Sequence, residues 1–402
     1  MKKVLFLGYV VTPEEANSAS GASVAGNKMQ WNIVRNLGSA DEVNVYCLTI
    51  TPIACFPRDS MIFQKASDGK LAEGVVSKRI SYINLPIIKQ ITQIISMYRT
   101  ANRTILNEQI KEVVCFNLFP QIGIPLMLLK KKFPLITSAC ILADLPIDDN
   151  TKRKGISIWL RRLFEKITWN SFRACDKFVV LNKKVGELYA RDKPYIVIDG
   201  GVSEEDIITA QTIPYSEKEK IILFCGALTE YNGIGNLIRA FEKANIKEAV
   251  LDIYGNGYLE NEVKLAAQKN PKIHYYGRVD NRTVLQKQRE AWILVNPRVV
   301  DDPIAKVTFP SKTFEYLLSG TVVVSTHLNG YSEEYNDLMI FSGDSVDELA
   351  QTIVKAMELS EDNLNDYASK AKEFVLSKRK WKYQGRKIMQ FIWGELLCPD
   401  YQ

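Results

Sequence analysis

The sequence predicts an α/β protein with two doubly wound parallel sheets, that is, two Rossmann-like domains. Short apolar runs of strand length alternate with helical patterns, which is typical of βαβ units. This alternation is interrupted once, by a polar, proline-containing stretch at residues 203–218. The length of 402 residues also suits two domains of ordinary size. We expect an N-terminal domain over residues 1–204, joined by the last helix at 381–402, and a C-terminal domain over residues 217–380.

The apolar runs give the individual strands and helices. In the first domain the predicted strands are residues 2–8, 42–50, 79–85, 113–118, 135–142, 177–181 and 195–199. In the second domain they are residues 220–226, 250–255, 273–277, 292–297, 321–326 and 338–342. The tail predicts helices at residues 345–359, 361–377 and 381–397. Ligands of such sheets bind beyond the carboxyl ends of the strands, so we expect a site in a cleft between two such edges.

Charge is distributed unevenly along the chain. Residues 1–200 carry 28 Lys and Arg against 17 Asp and Glu, whereas residues 201–402 carry 24 against 29. The basic first half suits an anionic membrane or a phosphate-bearing acceptor, or it is simply a solvated surface. No basic stripe is interleaved with aromatic residues, so nucleic acid is not an expected partner. The basic amphipathic stretches at residues 87–103 and 156–169 would either lie in a lipid interface or cover a sheet.

The cysteines and histidines are not spaced along the sequence as metal ligands usually are. The seven cysteines include no CxxC pair, and neither His274 nor His327 has a metal-ligand neighbour at the usual spacing. We therefore expect reduced thiols and no metal site. The chain shows no signal peptide and no apolar run of about 18 residues. These features predict a soluble, cytoplasmic protein.

A short helix is predicted at residues 310–319. Pro310 is favourable at a first helical position, and Gly320 is a natural stop. Phe309 would then be the N-cap, and its side chain has no oxygen to offer the backbone. Unpaired N–H groups at the start of a helix suit a phosphate. The residues expected to present these groups are Ser311, Lys312 and Thr313.

Glu315 lies one turn deeper in this predicted helix. At about 1.5 Å per residue, its distance from the helix start is roughly that between a diphosphate and a ribose diol. A cation at Lys312 with a carboxylate at Glu315 would together suit a nucleotide sugar. Alternatively, Lys312 and Glu315 form an i, i+3 ion pair on an ordinary amphipathic helix.

The loop from Ser18 to Ser23 is rich in small residues. Gly21 and Ala22 would let the backbone approach a ligand or the facing domain. We assign them to the side of the site that binds a second substrate, which we call the acceptor side. The alternative is an ordinary surface loop.

Four segments in the second half resemble the donor-binding domain of the retaining GT-B glycosyltransferases of the family 4 type. They are Gly226–Ile234, Tyr254–Glu260, Tyr276–Val279, and Asn296–Arg298 with Phe309–Leu317. The likeness covers roughly residues 220–330. It is greatest to the branch that acts in bacterial capsular and surface polysaccharide assembly.

The resemblance implies a role for each matched residue. Glu315 would bind the ribose hydroxyls, and Ser311, Lys312 and Thr313 would hold the diphosphate. Arg298 would stabilise the departing phosphate charge, or else form a salt bridge at a strand end. The remaining donor-site residues implied by the resemblance are Gly226, Thr229, Gly257, Arg278 and Val279.

The sequence also departs from the family pattern. Val307 stands where a first glutamate is common, and Asp301 or Asp302 would have to replace it. Ala227 and Asn232 stand where the first donor loop usually has basic residues. The first half has no histidine, so Asp144 is the candidate for the position beside the donor sugar. It could equally be a helix cap or a turn residue.

The implied activity is transfer of a sugar, with retention, from a nucleoside diphosphate sugar to a hydroxyl. The implied acceptor is a saccharide carried on a lipid such as polyprenyl diphosphate, at the inner face of a cell membrane. No metal or other cofactor is expected, because cations and backbone amides would bind the diphosphate. The alternatives are a nucleotide-sugar epimerase or hydrolase, and a non-catalytic scaffold.

Overall fold

The computed structural model describes residues 2–38, 43–69, 71–145, 156–190, 192–208, 212–310 and 312–395, with residues 156–161 as backbone only. The chain divides into two compact units. Unit 1 comprises Met1–Asp199 and Trp381–Gln402, and unit 2 comprises Gly200–Lys380. The stretch expected to be a linker belongs to unit 2, because Tyr215 is buried there and its hydroxyl accepts a hydrogen bond from the Val322 amide at 2.7 Å.

Unit 1 contains an eight-stranded sheet within its described residues. The strands of this unit are β1 (Lys2–Gly8), β2 (Val43–Thr49), β3 (Phe63–Gln64), β4 (Ser67–Gly69), β5 (Val75–Arg79), β6 (Tyr82–Ile83), β7 (Glu112–Phe116), β8 (Thr137–Leu142), β9 (Lys177–Val180) and β10 (Tyr195–Val197). The sheet order is β10-β9-β8-β7-β1-β2-β5-β4, and only the edge strand β4 runs antiparallel to its neighbour.

The strand predicted at residues 79–85 is divided in the structure. Its first residue ends β5, whereas Tyr82 and Ile83 leave the sheet and pair with Phe63 and Gln64 as the separate ribbon β3–β6. This pairing joins segments far apart in sequence, so local patterns do not reveal it.

The helices of unit 1 cover both faces of its sheet, as expected for a doubly wound domain. They are α1 (Pro13–Ser18), α2 (Val24–Gly38), α3 (Ile88–Glu108), α4 (Pro120–Lys132), α5 (Ile156–Ser171), α6 (Lys183–Val185) and the C-terminal α14 (Trp381–Ile392). Helix α14 packs against α2, and Trp381, Ile388 and Phe391 are buried in the core of this unit.

Unit 2 contains six parallel strands in the order of a doubly wound nucleotide-binding sheet. They are β11 (Ile221–Cys225), β12 (Val250–Tyr254), β13 (Ile273–Gly277), β14 (Ile293–Asn296), β15 (Val322–Thr326) and β16 (Ile340–Ser342). The order β13-β12-β11-β14-β15-β16 places the topological switch point between β11 and β14. All six were predicted to within two residues, because strands buried on both faces read as continuous apolar runs.

Seven helices accompany this sheet in the described residues. They are α7 (Glu204–Ile208), α8 (Ile234–Ala244), α9 (Glu260–Lys269), α10 (Asn281–Glu290), α11 (Thr313–Leu318), α12 (Val346–Glu358) and α13 (Glu361–Lys378). Among the helices of the described ranges, none is long and apolar enough to cross a membrane.

Lys218 is a buried lysine beneath the sheet of unit 2. It is 7% exposed, its ammonium donates to the Gly320 carbonyl at 3.1 Å, and it lies 4.7 Å from the centre of the Tyr215 ring. It forms no ion pair with an acidic side chain in the part of the chain that the structure describes. Desolvation therefore lowers the pKa of Lys218 to about 7.

This burial makes stability depend on pH. The folded pKa of about 7 lies below the usual lysine value of 10.5, so between these values the unfolded chain binds more protons. We expect the free energy of unfolding to rise from about pH 7 to about pH 10 through this residue, as measured by urea denaturation. Lys218→Met should remove that part of the slope, whereas Lys355→Met, on an exposed helix position, should retain it. An unchanged slope in Lys218→Met would contradict the assignment.

Candidate active site

Loops from neighbouring strands meet at the carboxyl edge of the unit 2 sheet. The Gly255 amide donates to the Gly277 carbonyl at 2.8 Å, and the Gly226 amide donates to the Tyr254 carbonyl at 3.0 Å. The Leu228 amide donates to the Asn256 carbonyl at 2.9 Å. These bonds connect the loops after β11, β12 and β13. The predicted donor-site residues on these loops are Gly226, Thr229, Gly257, Arg278 and Val279.

Two glycines permit this close packing. A Cβ on Gly257 would lie 2.3 Å from the Leu228 carbonyl oxygen, so only glycine fits between the two loops. Gly233 has φ of +73°, and a Cβ there would lie 1.7 Å from the Pro297 oxygen. The loop after β11 therefore packs directly against the loop after β14.

The loop after β11, at residues 226–233, corresponds to the first donor loop of the resemblance. Neutral side chains hold this loop together. Asn232 is buried, and its amide group donates to the Ala227 carbonyl at 2.9 Å. The Thr229 hydroxyl accepts a hydrogen bond from the backbone N–H of Asn232 at 3.4 Å. Asn232, at a position where the resemblance implies a basic residue, thus stabilises the loop itself. Any positive charge for a phosphate must come from another segment of the site.

Arg298 follows β14, directly at the switch point. Its guanidinium donates to the Thr308 hydroxyl at 3.2 Å and lies 5.6 Å from the centre of the Tyr231 ring. The backbone is fixed by the Thr326 hydroxyl, which donates to the Arg298 carbonyl at 2.6 Å. The salt bridge considered from the sequence is not observed, because no acidic side chain of the described residues pairs with Arg298.

This guanidinium is largely desolvated, and no acidic side chain of the described residues lies at ion-pair distance from it. Burial lowers the pKa of Arg298, and the nearby Tyr331, Tyr231 and Asp302 oppose the shift. An arginine nevertheless remains protonated at neutral pH. Because an uncompensated charge in such a place is unfavourable, an anion binding here would gain both a charge partner and hydrogen bonds.

Helix α11 begins later than predicted. It starts at Thr313 with Lys312 as its N-cap, not at Pro310. The Thr313 amide donates to the Pro310 carbonyl at 3.0 Å, so the expectation of an unpaired amide at Thr313 is wrong. The cause is a tight turn at Pro310 that precedes the helix. Ser311 lies outside the described residues.

A single tyrosine hydroxyl fixes the start of α11. The Tyr331 oxygen lies 3.1 Å from the Thr313 hydroxyl and accepts from the Asn296 side chain at 3.0 Å and from the Ser325 hydroxyl at 3.5 Å. It therefore joins α11 to the ends of β14 and β15. Tyr331 was not among the predicted site residues, because no local sequence pattern indicates these three partners.

Lys312 and Glu315 lie beside the end of β11. The Tyr316 hydroxyl accepts from the Cys225 amide at 3.0 Å and lies 3.2 Å from the Cys225 carbonyl, which attaches α11 to this strand. Burial raises the pKa of the Cys225 thiol to about 12, while the charge of Lys312 lowers it and that of Glu315 raises it. Both charged groups are thus close to Cys225, the last residue of β11.

The two charged residues do not form the ion pair considered from the sequence. Within the described ranges, Lys312 has no acidic partner at ion-pair distance. Glu315 is half-buried on the wall of a small pocket. The residues lining that pocket are Asp206, Leu285, Gln288, Arg289, Glu315, Leu318 and Ser319.

The acids near the missing first glutamate have local partners. Asp301 pairs with Lys306 at 3.0 Å. The Asp302 carboxylate accepts from the amides of Ile304 at 2.8 Å and Ala305 at 3.4 Å, which closes a turn. Val307 is buried. Lys306 is therefore paired, which leaves Arg298 and Lys312 as the cations for a phosphate.

Asp144 follows β8 at the carboxyl edge of the unit 1 sheet. The Asn117 side chain donates to the Asp144 carboxylate at 3.1 Å and accepts from the amides of Ala143 at 2.9 Å and Asp144 at 3.0 Å. Although Asp144 is solvent-exposed, surrounding protein atoms desolvate its carboxylate and raise its pKa, an effect that the Asn117 bond opposes. No sequence pattern indicates Asn117, which fixes this loop from the neighbouring strand.

The acceptor-side loop packs within unit 1. The Gly21 amide donates to the Pro52 carbonyl at 3.1 Å, and a Cβ on Gly21 would lie 2.8 Å from the Ile53 carbonyl carbon. The Ala22 amide donates to the Ala19 carbonyl at 3.3 Å. Gly21 therefore lies so close to the Ile53 backbone that a side chain at this position would clash with it.

Among the described residues, no group of three or more His, Cys, Asp or Glu side chains is placed to hold a metal ion.

Part of unit 2 is similar in sequence to a known family. Residues 219–359 match the family described as Glycosyl transferases group 1. An uncharacterized glycosyltransferase of Methanocaldococcus jannaschii is 29% identical over 218 residues, which are 52% of this chain and 53% of that protein. The chain thus matches about half the length of this curated relative.

Solved structures resemble the whole chain. Sucrose-phosphate synthase from Thermosynechococcus elongatus has a TM-score of 0.69 at 13% identity, covering 98% of this chain and 99% of that one. Anabaena HepE in complex with UDP has a TM-score of 0.66 at 13% identity, covering 98% and 100%. WaaG, a glycosyltransferase involved in lipopolysaccharide biosynthesis, has a TM-score of 0.61 at 14% identity, covering 97% and 100%. The chain therefore has the GT-B fold, and residues 219–359 in its second unit are similar to the group 1 glycosyl transferases.

Proposed function

We propose that this protein transfers a sugar from a nucleoside diphosphate sugar to a hydroxyl of a saccharide acceptor, with retention at the anomeric carbon. The match of residues 219–359 to the group 1 glycosyl transferases supports the reaction class. UDP in the structure of Anabaena HepE supports a nucleotide-linked donor. We place the donor at the carboxyl edge of the unit 2 sheet.

The observation that carries the proposal is Arg298 at the switch point, which has no acidic partner among the described residues. Lys312 adds a second cation without an acidic partner in the described chain, and both lie at the edge where such sheets bind ligands. Two cations suit a diphosphate, and the nearby Glu315 carboxylate suits two ribose hydroxyls. We assign these roles to Arg298, Lys312 and Glu315.

The reaction needs no nucleophile from the protein. The acceptor oxygen forms a bond to the anomeric carbon while the bond from that carbon to the diphosphate oxygen breaks. The electron pair of the broken bond remains on the diphosphate, which also takes the proton from the acceptor hydroxyl. Arg298 and Lys312 stabilise the charge that develops on the leaving group, and fixed cations facing such charge are usually the largest catalytic contribution.

We assign the acceptor to unit 1. Gly21 and Ala22 lie in a loop of this unit that is fixed against Pro52. The basic charge of residues 1–200 supports an acceptor with phosphate, such as a lipid-linked saccharide. The likeness to WaaG supports a role in surface polysaccharide biosynthesis.

Calorimetry with UDP-, GDP- and ADP-sugars tests the donor assignment. We expect one nucleotide class to bind the wild-type protein, and Lys312→Ala to weaken that binding without an equal loss of thermal stability. Turnover should require an added acceptor. Donor conversion without acceptor would instead support an epimerase or hydrolase, and no binding of any donor would support a non-catalytic scaffold.

A further inference from the structure

Unit 1 exposes a group of large apolar side chains on one surface. We call it the isoleucine surface, and its side chains are 43–66% exposed. Its members are Met61, Ile62, Phe63, Ile87, Ile88, Ile91 and Ile95. Single exposed apolar residues are common, but a contiguous group of this kind indicates an interaction site.

Hydrogen bonds make this surface continuous. The Asn84 amide donates to the Ile62 carbonyl at 2.7 Å, and the Asn84 side chain donates to the Met61 carbonyl at 2.8 Å. The Ile83 amide donates to the Thr92 hydroxyl at 3.1 Å, which attaches the β3–β6 ribbon to α3. Because Asn84 is fully buried, these bonds fix the segment at 61–63 beside the start of the helix.

Ile87 is held in a strained conformation at the start of α3. It has φ of +67° and ψ of −51°, and the Ile88 amide donates to the Pro86 carbonyl at 2.7 Å. This is a γ-turn with positive φ at its centre, which is rare and unfavourable for a β-branched residue. Ile87 is nevertheless 66% exposed, so packing against the described residues covers only a minor part of this apolar side chain.

The charge along α3 favours an anionic partner for the isoleucine surface, whereas the Asp59 carboxylate, which accepts from the Met61 amide at 3.0 Å, opposes one and is offset by the nearby Lys89. Ile88, Ile91 and Ile95 lie on the exposed face of α3, and Arg99 and Arg103 continue that face at helical spacing. The helix has no acidic residue before Glu108, which pairs with Lys3. Apolar side chains followed by arginines are typical of a helix that lies in the interface of an anionic bilayer.

Among the described side chains of helix α5, the other amphipathic stretch, Leu163 and Trp169 are 39% and 37% exposed. Its Trp169 ring stacks on Tyr189 at 5.1 Å and contacts Phe172 at 5.0 Å, so it packs within its own unit.

We propose that the isoleucine surface seats unit 1 on an anionic lipid bilayer, with Ile87 inserted deepest. The acceptor-side loop is adjacent to this surface: the Ala54 amide donates to Ser20 at 2.9 Å, and Asn84 donates to the Ala54 carbonyl at 2.9 Å. Docking would therefore bring Gly21 and Ala22 to the level of the headgroups, where a lipid-linked saccharide is presented. This last step rests on the proposed function, whereas binding to the bilayer does not.

Vesicle co-sedimentation of the full chain tests the docking. We expect binding to phosphatidylcholine vesicles that contain about 30% phosphatidylglycerol, and little binding to phosphatidylcholine alone. The double variant Ile91→Ser with Ile95→Ser should lower binding at least about tenfold, since burial of apolar surface supplies part of the affinity. Arg99→Ala with Arg103→Ala should lower binding to the anionic vesicles only. Leu135→Ser changes an exposed leucine outside the surface and should leave binding unchanged.

Ile87→Gly separates docking from folding. Glycine adopts positive φ without strain, so this variant should keep at least the wild-type melting temperature while it loses vesicle binding. Equal vesicle binding by the isoleucine variants would overturn the proposal. So would a wild-type dimer, seen by analytical ultracentrifugation, that the isoleucine variants disrupt, because a second copy would then cover the surface. Donor binding by calorimetry should be the same in all these variants, so failure of docking is distinguishable from failure of the proposed function.

Discussion

Replacing Arg298 with alanine is expected to lower the turnover number about 100- to 1,000-fold, the range for loss of one fixed group that stabilises transition-state charge. The guanidinium lacks an acidic partner in the described chain and is positioned by Thr308 and by the Thr326 bond to its carbonyl. Its removal therefore breaks no ion pair, and the melting temperature should change little. Steady-state kinetics with the donor identified by calorimetry measures the effect.

Two further variants sharpen this test. Arg298→Lys keeps the positive charge but loses the planar set of N–H donors of the guanidinium group. It should therefore be more active than Arg298→Ala and less active than the wild type. Arg239→Ala removes an exposed arginine bonded only to Asn236 among the described contacts, and should retain full turnover. Near wild-type activity in Arg298→Ala would show that this residue does not face the leaving group.

Replacing Glu315 with alanine is expected to weaken donor binding by about 1.5–3 kcal/mol, the range for hydrogen bonds to a charged group. This corresponds to roughly a 10- to 150-fold increase in the dissociation constant. Calorimetry with the preferred nucleotide sugar measures it. Because Glu315 also lines a pocket with Gln288 and Arg289, denaturation should be measured in parallel.

Comparison of ligands identifies which part of the donor Glu315 contacts. If it binds the ribose, the variant should lose less affinity for a 2′,3′-dideoxy nucleotide than for the parent nucleotide. Glu262→Ala, on the exposed side of α9, should bind both ligands like wild type. Unchanged affinity in a folded Glu315→Ala protein would remove the ribose assignment.

The sequence predicted the sheet of unit 2 well because its strands are apolar throughout. Phe224 and Val295, for example, lie in runs that can only be buried strands. The start of α11 was misplaced because Pro310 suits a turn as well as a first helical position. Whether its carbonyl accepts from Thr313 depends on the surrounding tertiary structure.

The features that define the candidate site were less predictable. Arg298 was identified from the resemblance, but whether an acidic side chain of the described residues pairs with it depends on the tertiary structure. Asn117 and Tyr331 act through hydrogen bonds between segments 18 to 35 residues apart. Helical periodicity revealed that α3 is amphipathic, but not that Met61, Ile62 and Phe63 extend its exposed face.

The shared oxygen of Tyr331 has a consequence for ligand capture. Three segments meet at this atom, so the turn that carries Lys312 cannot slide along the sheet unless hydrogen bonds to both neighbouring strands break. Much of the entropy needed to immobilise that turn is therefore lost during folding, not when a ligand arrives. We therefore expect the hydrogen-exchange rates of the backbone amides around β14 and β15 to be nearly the same with and without bound nucleotide.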